Sequence, residues 1–298
     1  GLVLNPSQLT SENVTRVMIH DVPLRDGRMH VRVVGTGKPA LFLHGISAHG
    51  KSWLKVAQVL EERRSNIACW IPDLLGRGKS DPGVGLRYRL GDEVRRIQNF
   101  TKEFSSNSST THFPSVIIGH SHGASIALAL AAAEPSVRGL ILSNPITPQV
   151  RRPIALEILE VRIIQHLISR IITCFHEPLG HLILQRAGGP HFKIDRDSLV
   201  TYSQPYSEIE RARTLLRILS DWHPREICAQ LPKRKITTHI FAGAHDPRVS
   251  IDVATRFAND LNADLTIVEE GGHVLPEQYP KLLARKINEI ATTVGNSL

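Results

Sequence analysis

Short apolar runs alternate with longer stretches of helical periodicity along most of the chain. The first two runs, Val17–Leu24 and 29–34, flank an Asp26-Gly27 pair, which is typical of a hairpin turn. The later runs are short and mainly apolar, as expected for parallel strands that are buried on both faces. We predict these strands at 40–43, 67–71, 115–119, 139–143, 237–243 and 264–269.

Helical patterns fill the segments between the predicted strands. They cover residues 51–64, 90–104, 121–134, 251–261 and 276–294, and the polar stretch 105–112 reads as a surface loop. This alternation predicts an α/β fold, with a mostly parallel central sheet flanked by helices. The predicted strands end in loops rich in Gly, Asp, His, Ser or Pro, so we expect the functional site at the carboxyl ends of the strands.

The alternation stops between residues 148 and 232. Helical patterns at 154–175 and 207–222 follow one another with no convincing strand between them, and prolines stand at both ends of the segment. We therefore predict an inserted helical cap over 148–232. Residues 1–147 and 233–298 would form the first and second parts of the core.

Two groups of cap residues carry expectations about packing and partners. Four apolar residues are expected to pack mainly onto the core, with some cap residues lining a pocket: Ile163, Leu167, Ile171 and Trp222. Four arginines are interpreted as a solvated helix face, with an acidic carrier protein, a carboxylate or a phosphopantetheine arm as the alternative partner: Arg151, Arg152, Arg162 and Arg170.

Composition and charge argue against several classes of protein. The 298 residues carry a net charge of +8, but the basic residues are spread along the chain, which does not favour a nucleic-acid partner. Cys69, Cys174 and Cys228 are far apart and odd in number, so a disulfide framework is not expected. No apolar run is long enough to span a membrane, and the expected location is the cytoplasm.

The segment Gly-His-Ser-His-Gly at 119–123 carries the main chemical signal. It lies between a predicted strand and a predicted helix, the setting of a G-x-S-x-G nucleophile elbow. The strand-to-helix turn is too tight for side chains two residues on either side of Ser121, which explains both glycines. Ser121 is therefore the candidate nucleophile.

A serine hydroxyl needs a base, and the base needs an orienting carboxylate. Asp246 and His273 each follow a different predicted strand, in the chain order Ser, Asp, His. Asn144 and Asp252 stay open as alternatives for the acid position. Asp246 could instead only cap the helix that begins near Ile251.

Two further loops complete a family resemblance. Leu-His-Gly-Ile at 43–46 and Asp-Leu-Leu-Gly-Arg-Gly-Lys-Ser at 73–80 accompany the three candidate triad positions. The chain resembles the α/β-hydrolase superfamily, in its cap-bearing branch of esterases, lactonases, C–C hydrolases and cofactor-free haloperoxidase-like enzymes. The resemblance implies an α/β-hydrolase fold, no cofactor, and an oxyanion hole formed by the backbone N–H groups of Ile46 and His122.

The elbow residue narrows the expected chemistry. Haloalkane dehalogenases and most epoxide hydrolases of this fold attack with an aspartate, whereas this chain has Ser121. We therefore expect a serine hydrolase acting on a small to medium ester, lactone or thioester. A C–C bond hydrolase or lyase with the same triad and a non-catalytic small-molecule receptor are the alternatives.

Other residues around the motifs are considered for contact with substrate or metal. The candidates for contact with substrate are His44, Gly45, Trp222 and Val274, although His44 is also expected to tie its own loop by hydrogen bonds. Metal binding is not expected, since His176 and His181 lack the i, i+4 ligand spacing. The Gly-His-Ser-His-Gly elbow also occurs in some bacterial lipases. A secreted lipase would be expected to have paired cysteines and long apolar surface stretches, and we expect neither in this chain.

Overall fold

A computed structural model describes residues 16–106, 113–150, 152–230 and 234–295. Most of the loop predicted at 105–112, together with Arg151 and the predicted cap boundary at Pro232, lies outside the described residues. Within the described parts of the chain, no helix is both long and apolar enough to cross a membrane.

Eight strands form one sheet in the order β1-β2-β4-β3-β5-β6-β7-β8. β1 and β2 form an antiparallel hairpin, β2 also pairs antiparallel with β4, and all the other neighbouring pairs are parallel. The predicted α/β fold with a mostly parallel sheet is therefore confirmed. The strands are β1 Val17–Leu24, β2 Gly27–Val34, β3 Lys38–Leu43, β4 Ile67–Pro72, β5 Val116–His120, β6 Gly139–Ser143, β7 Thr237–Gly243 and β8 Asp264–Val268.

The helices cover both faces of the sheet and extend the chain between β6 and β7. They are α1 Leu54–Glu62, α2 Leu90–Ser106, α3 His122–Ala133, α4 Arg162–Cys174, α5 His176–Gly188, α6 Arg196–Ser203, α7 Ile209–Asp221, α8 Ile251–Asp260, α9 Leu275–Gln278 and α10 Pro280–Gly295. Apolar residues of α2, α3 and α8 form one core with the sheet, and those of α1 and α10 form a second. The sheet is thus buried between two helical layers.

Three predicted helices are interrupted in the structure. Gly50–Trp53 and Ile154–Glu160 are 3-10 turns that precede α1 and α4. Val161 has an extended backbone, which separates the second of these turns from α4. The helix predicted at 276–294 divides into α9 and α10 next to Pro280, whose ring lacks the N–H needed to continue a helix.

Helices α4 to α7 form an insertion between β6 and β7, and no strand occurs among the described residues 152–230. The insertion is tied to loops at the carboxyl ends of β3 and β4. The Tyr206 hydroxyl donates to the Ser47 carbonyl at 2.9 Å, and the Arg211 guanidinium donates to the Ser80 carbonyl at 2.9 Å. The helices therefore lie over the strand ends, while the domain boundaries at 148 and 232 stay a prediction.

The packing expected for three apolar residues of α4 is wrong. Ile163, Leu167 and Ile171 are 68%, 56% and 55% exposed, so they face solvent rather than the core. Their spacing of four residues places them on one face of α4, and the buried Ser169 lies on another. The expected lack of a long apolar surface stretch is wrong for the same reason. Trp222 behaves as expected, since it is half-buried against the core.

Candidate active site

The turn between β5 and α3 presents Ser121 in a strained backbone conformation. Ser121 has φ 55° and ψ −117°, outside the usual regions for a residue with a side chain. A Cβ on Gly119 would lie 2.5 Å from the Gly123 carbonyl oxygen, and a Cβ on Gly123 would overlap the Leu43 carbonyl. The two glycines of the elbow are therefore required by close backbone approach.

Ser121, His273 and Asp246 form one chain of hydrogen bonds. His273 Nε2 lies 2.9 Å from Ser121 Oγ, and His273 Nδ1 lies 2.7 Å from Asp246 Oδ2. Because an ionised carboxylate only accepts, Nδ1 carries the proton and Nε2 is free to accept from the serine hydroxyl. The structure brings together the three predicted residues in the order that nucleophilic activation of a serine requires.

Asp246 is held as an anion by groups on all sides. Its Oδ1 accepts from the Arg248 and Val249 amides at 2.8 and 3.2 Å, and its Oδ2 accepts from Asn144 Nδ2 at 2.8 Å. Burial raises the pKa of Asp246, but the His273 charge and these hydrogen bonds outweigh it, so the pKa lies below its ordinary value. The carboxylate therefore stays ionised beside His273.

The other candidates for the acid position have different places. Asn144 is a neutral donor to Asp246 and to the Gly272 carbonyl, rather than a partner of His273. Asp252 is exposed in the first turn of α8. The N-cap of α8 is Ser250, so Asp246 does not cap this helix.

The two residues expected to supply an oxyanion hole line the same cavity as Ser121. His122 is the first residue of α3, and the first N–H groups of a helix have no partner within it. Ile46 follows Gly45, where an added Cβ would lie 3.5 Å from Ser121 Cβ. The loop after β3 therefore passes directly beside the serine side chain.

The histidines on either side of Ser121 have different surroundings. His120 Nε2 donates to the His273 carbonyl at 2.7 Å, which ties the elbow to the loop that holds His273. Burial, followed by the nearby His273 charge, lowers the pKa of His120 to about 3, so its ring is neutral.

The His122 ring lies 3.8 Å from Glu93, which forms a buried pair with Arg77 at 2.6 Å. Among the residues that the structure describes, no group of three or more side chains could hold a metal ion.

A largely apolar cavity opens beside Ser121 between the strand ends and the helical insertion. Its empty space, including the part open to solvent, is about 670 Å³. Gly45, Trp222 and Val274 line it, as expected for residues that contact a substrate. Four further lining residues could not be predicted, because helical periodicity does not show which cap face points inward: Ile183, Leu184, Tyr202 and Leu219. Arg248, two residues after Asp246, also lines the cavity.

The assignment of His44 to substrate contact is wrong. His44 is fully buried, and the Leu74 amide donates to its Nε2 at 2.9 Å. Its Nδ1 therefore carries the proton and donates to the Gly45 carbonyl at 2.8 Å. Burial, followed by the Arg77 charge, lowers the pKa of His44 to about 3. The neutral ring holds the loops after β3 and β4 together, as the second expectation for this residue states.

Curated relatives match the chain at low identity. A lipase of Mycobacterium tuberculosis, LipV, is 32% identical over 120 residues, which are 39% of this chain and 41% of the relative. The match thus spans about two fifths of that lipase. The magnesium-chelatase 30 kDa subunit of Rhodobacter capsulatus is 25% identical over 251 residues, covering 81% of this chain and 82% of that subunit.

Solved structures share the fold over nearly the whole chain. A putative lipase from Acinetobacter baumannii has a TM-score of 0.75 at 19% identity, covering 95% of this chain and 93% of that one. A haloalkane dehalogenase from Bradyrhizobium elkani has a TM-score of 0.77 at 19% identity, covering 95% and 100%. The alpha/beta hydrolase family matches residues 40–286, most of the 298-residue chain. With the elbow, the strand order and the insertion, this match means that the chain belongs to the alpha/beta hydrolase family.

Proposed function

We propose that the protein is a serine hydrolase that cleaves a small to medium ester, lactone or thioester through an acyl-enzyme. The observation that carries the proposal is the continuous hydrogen-bond chain from Ser121 through His273 to Asp246. Membership of a hydrolase family and the partial likeness to a lipase support the same reaction class. Ser121 stands where haloalkane dehalogenases and most epoxide hydrolases of this fold carry an aspartate, so those two chemistries are not proposed.

The first half of the reaction forms the acyl-enzyme. His273 Nε2 takes the hydroxyl proton while Ser121 Oγ attacks the substrate carbonyl, and Asp246 stabilises the resulting imidazolium. The backbone N–H groups of Ile46 and His122 donate to the oxyanion of the tetrahedral intermediate. As the intermediate collapses, the imidazolium gives its proton to the leaving alcohol or thiol, and the acyl group stays on Ser121.

The second half returns the free enzyme. A water molecule attacks the acyl carbonyl while His273 Nε2 accepts its proton, and the same two N–H groups stabilise the oxyanion. Collapse releases the carboxylic acid and returns the proton to Ser121 Oγ. His273 thus acts as base and then acid in each half, and the residues described above account for every proton transfer.

The cavity indicates the kind of acyl group. Its lining includes aliphatic side chains of the insertion, among them Leu184 and Leu219, and Ile146 of the core. Such a surface gains free energy from burying hydrocarbon, at roughly 25 cal/mol per Å². We therefore place an apolar acyl or alcohol group of modest length in this cavity.

Stopped-flow kinetics with p-nitrophenyl butyrate tests the proposal. We expect a burst of nitrophenolate before the steady state, because acylation releases the phenol before water releases the acid. Ser121→Ala and His273→Ala should each lower kcat by about 10⁴-fold or more, because triad members act as a unit.

Ser47→Ala is the matched control, since Ser47 lines the same cavity, whereas the hydroxyl that donates to His273 Nε2 belongs to Ser121. It should keep the burst. Turnover that survives in Ser121→Ala would refute the mechanism. A triad-dependent reaction on a keto-containing substrate without any acyl-enzyme would favour the C–C hydrolase alternative.

A further inference from the structure

The helical insertion carries most of the large apolar side chains that are exposed in the described parts of the chain. Thirteen large apolar side chains are exposed among the described residues, and nine of them lie between Ile154 and Ile183. Ile163, Leu167 and Ile171 are the most regular group, because they recur every fourth residue on one face of α4. We call these three residues the α4 apolar face. A concentration of exposed apolar residues is typical of a surface that binds a protein, a membrane or a ligand.

The exposed apolar surface reaches the catalytic cavity through α5. Only Phe175, itself 57% exposed, separates α4 from α5 along the chain. Ile183 of α5 is 43% exposed and also lines the cavity beside Ser121. Ile183 therefore connects the exposed surface of the insertion with the lining of the cavity.

The charge next to the α4 apolar face is positive. Arg162 and Arg170 are exposed, and each precedes a residue of the apolar face by one position, so they border it. No Asp or Glu occurs from Arg162 to His176, although Glu160 and Glu177 lie just outside this stretch, and the whole chain carries a net charge of +8. An exposed apolar helix face bordered by arginines is the arrangement that binds at the interface of an anionic lipid layer.

We propose that the α4 apolar face docks on the surface of an anionic phospholipid bilayer, and that the cavity takes its ester from that layer. The aliphatic side chains would enter the boundary between headgroups and acyl chains, while Arg162 and Arg170 contact lipid phosphates. Each copy of this chain carries a net charge of +8, so joining the α4 apolar faces of two copies would bring like charges together. The docking step stands on the exposed surface alone, whereas the delivery of an ester rests on the proposed function.

Vesicle flotation of the full chain tests the docking step. Wild type should float with vesicles of equal parts phosphatidylcholine and phosphatidylglycerol, and less with phosphatidylcholine alone. Ile163→Ser/Leu167→Ser/Ile171→Ser should weaken binding at least about tenfold, because three aliphatic side chains no longer enter the lipid. Arg162→Gln/Arg170→Gln should lower binding to the anionic vesicles roughly tenfold, with little effect on the neutral ones.

A matched variant separates the location from the mere number of apolar residues. Ile19→Ser/Val84→Ser/Ile267→Ser replaces three exposed aliphatic residues outside the insertion, and it should bind like the wild type. Equal binding by both triple variants would overturn the proposal, as would wild type that does not float. A wild-type dimer in sedimentation velocity that the α4 variant converts to monomers would assign the face to a second copy and also overturn it.

Failure of docking and failure of the proposed function give different results. Ser121→Ala should still float, because Ser121 lies in the cavity and not on the α4 apolar face. The α4 triple variant should hydrolyse soluble p-nitrophenyl butyrate like the wild type. Loss of flotation with intact ester hydrolysis therefore refutes docking alone, and flotation without an acyl-enzyme refutes the proposed hydrolase alone.

Discussion

The strand ends of the core and the helical insertion differ in how firmly neighbouring residues hold their side chains in place. At the strand ends, Ser121, His273 and Asp246 are buried and linked by hydrogen bonds of 2.7 and 2.9 Å. On the insertion, large aliphatic residues such as Ile163 are exposed to solvent. The first region holds a few catalytic atoms in a fixed geometry. The second exposes apolar side chains for contact with another molecule.

This contrast assigns different tasks to the two regions. Catalytic groups have to be held close to their working geometry, which buried residues on rigid strand ends achieve through their neighbours. Selection of a substrate needs shape and apolar area, which a helical layer supplies without altering the triad. We therefore expect changes at the strand ends to affect kcat, and changes in the insertion to affect access or stability.

The largest expected effect comes from the carboxylate behind His273. Asp246→Asn would present an amide to Nδ1 and permit the wrong imidazole tautomer, so kcat should fall by about 10⁴-fold with a near-normal fold. Asp252→Asn, on the exposed first turn of α8, is the control and should leave kcat unchanged. Steady-state kinetics with p-nitrophenyl butyrate measures both. A mild effect of Asp246→Asn together with a severe effect of Asp252→Asn would reverse the assignment of the acid.

A smaller effect concerns the pH dependence of stability. The pKa of His120 is about 3 in the folded chain, because of burial first and the His273 charge second, against about 6.5 in an unfolded chain. The unfolded state therefore binds a proton that the folded state does not, and stability falls as the pH drops from about 6.5 towards 3. Each such proton contributes up to about 1.4 kcal/mol per pH unit.

His120→Gln removes this titration while keeping a donor for the His273 carbonyl. The free energy of unfolding in urea should then decline less steeply between pH 7 and pH 5 than in wild type. His181→Gln removes an exposed histidine and should leave the slope as it is. Identical slopes in wild type and His120→Gln would contradict a neutral, buried His120.

The smallest effect tests the attachment of the insertion to the core. Tyr206→Phe removes the hydrogen bond from the buried Tyr206 hydroxyl to the Ser47 carbonyl, and should lower the free energy of unfolding by about 1 kcal/mol. Ser207→Ala is a control in the same turn, because its hydroxyl bonds only locally, to the Gln204 carbonyl. An unfolding free energy equal to wild type in Tyr206→Phe would mean that this contact does not hold the insertion in place.

The sheet and the elbow could be predicted because local sequence determines them. Gly119 and Gly123 are demanded by backbone atoms that lie within a few residues or on the adjacent strand, so their spacing is visible in the sequence. Most of the parallel strands are short apolar runs, which few other elements resemble. The edge strand β8 is the exception, since Thr266 interrupts it and Ile267 is exposed. The order of Ser121, Asp246 and His273 could be read for the same reason, since each follows one of these strands.

The cap surface could not be predicted, because periodicity shows that a helix has an apolar face but not what that face contacts. Ile163 and Leu167 have the spacing of core residues, yet the tertiary arrangement leaves them exposed. Tyr202 and Leu219 reach the cavity from two different cap helices without any local motif. His44 was ambiguous because a histidine in a strand-end loop can face either the cavity or the loop behind it.

The most direct test of the central claim is the mass of the intact protein after incubation with a fluorophosphonate, which reacts with activated serine nucleophiles. We predict one adduct on the wild type, located at Ser121 by peptide mapping, and none on Ser121→Ala. Circular dichroism of both proteins establishes that each is folded. A folded wild type that takes no adduct, or equal labelling of Ser121→Ala, would contradict the account.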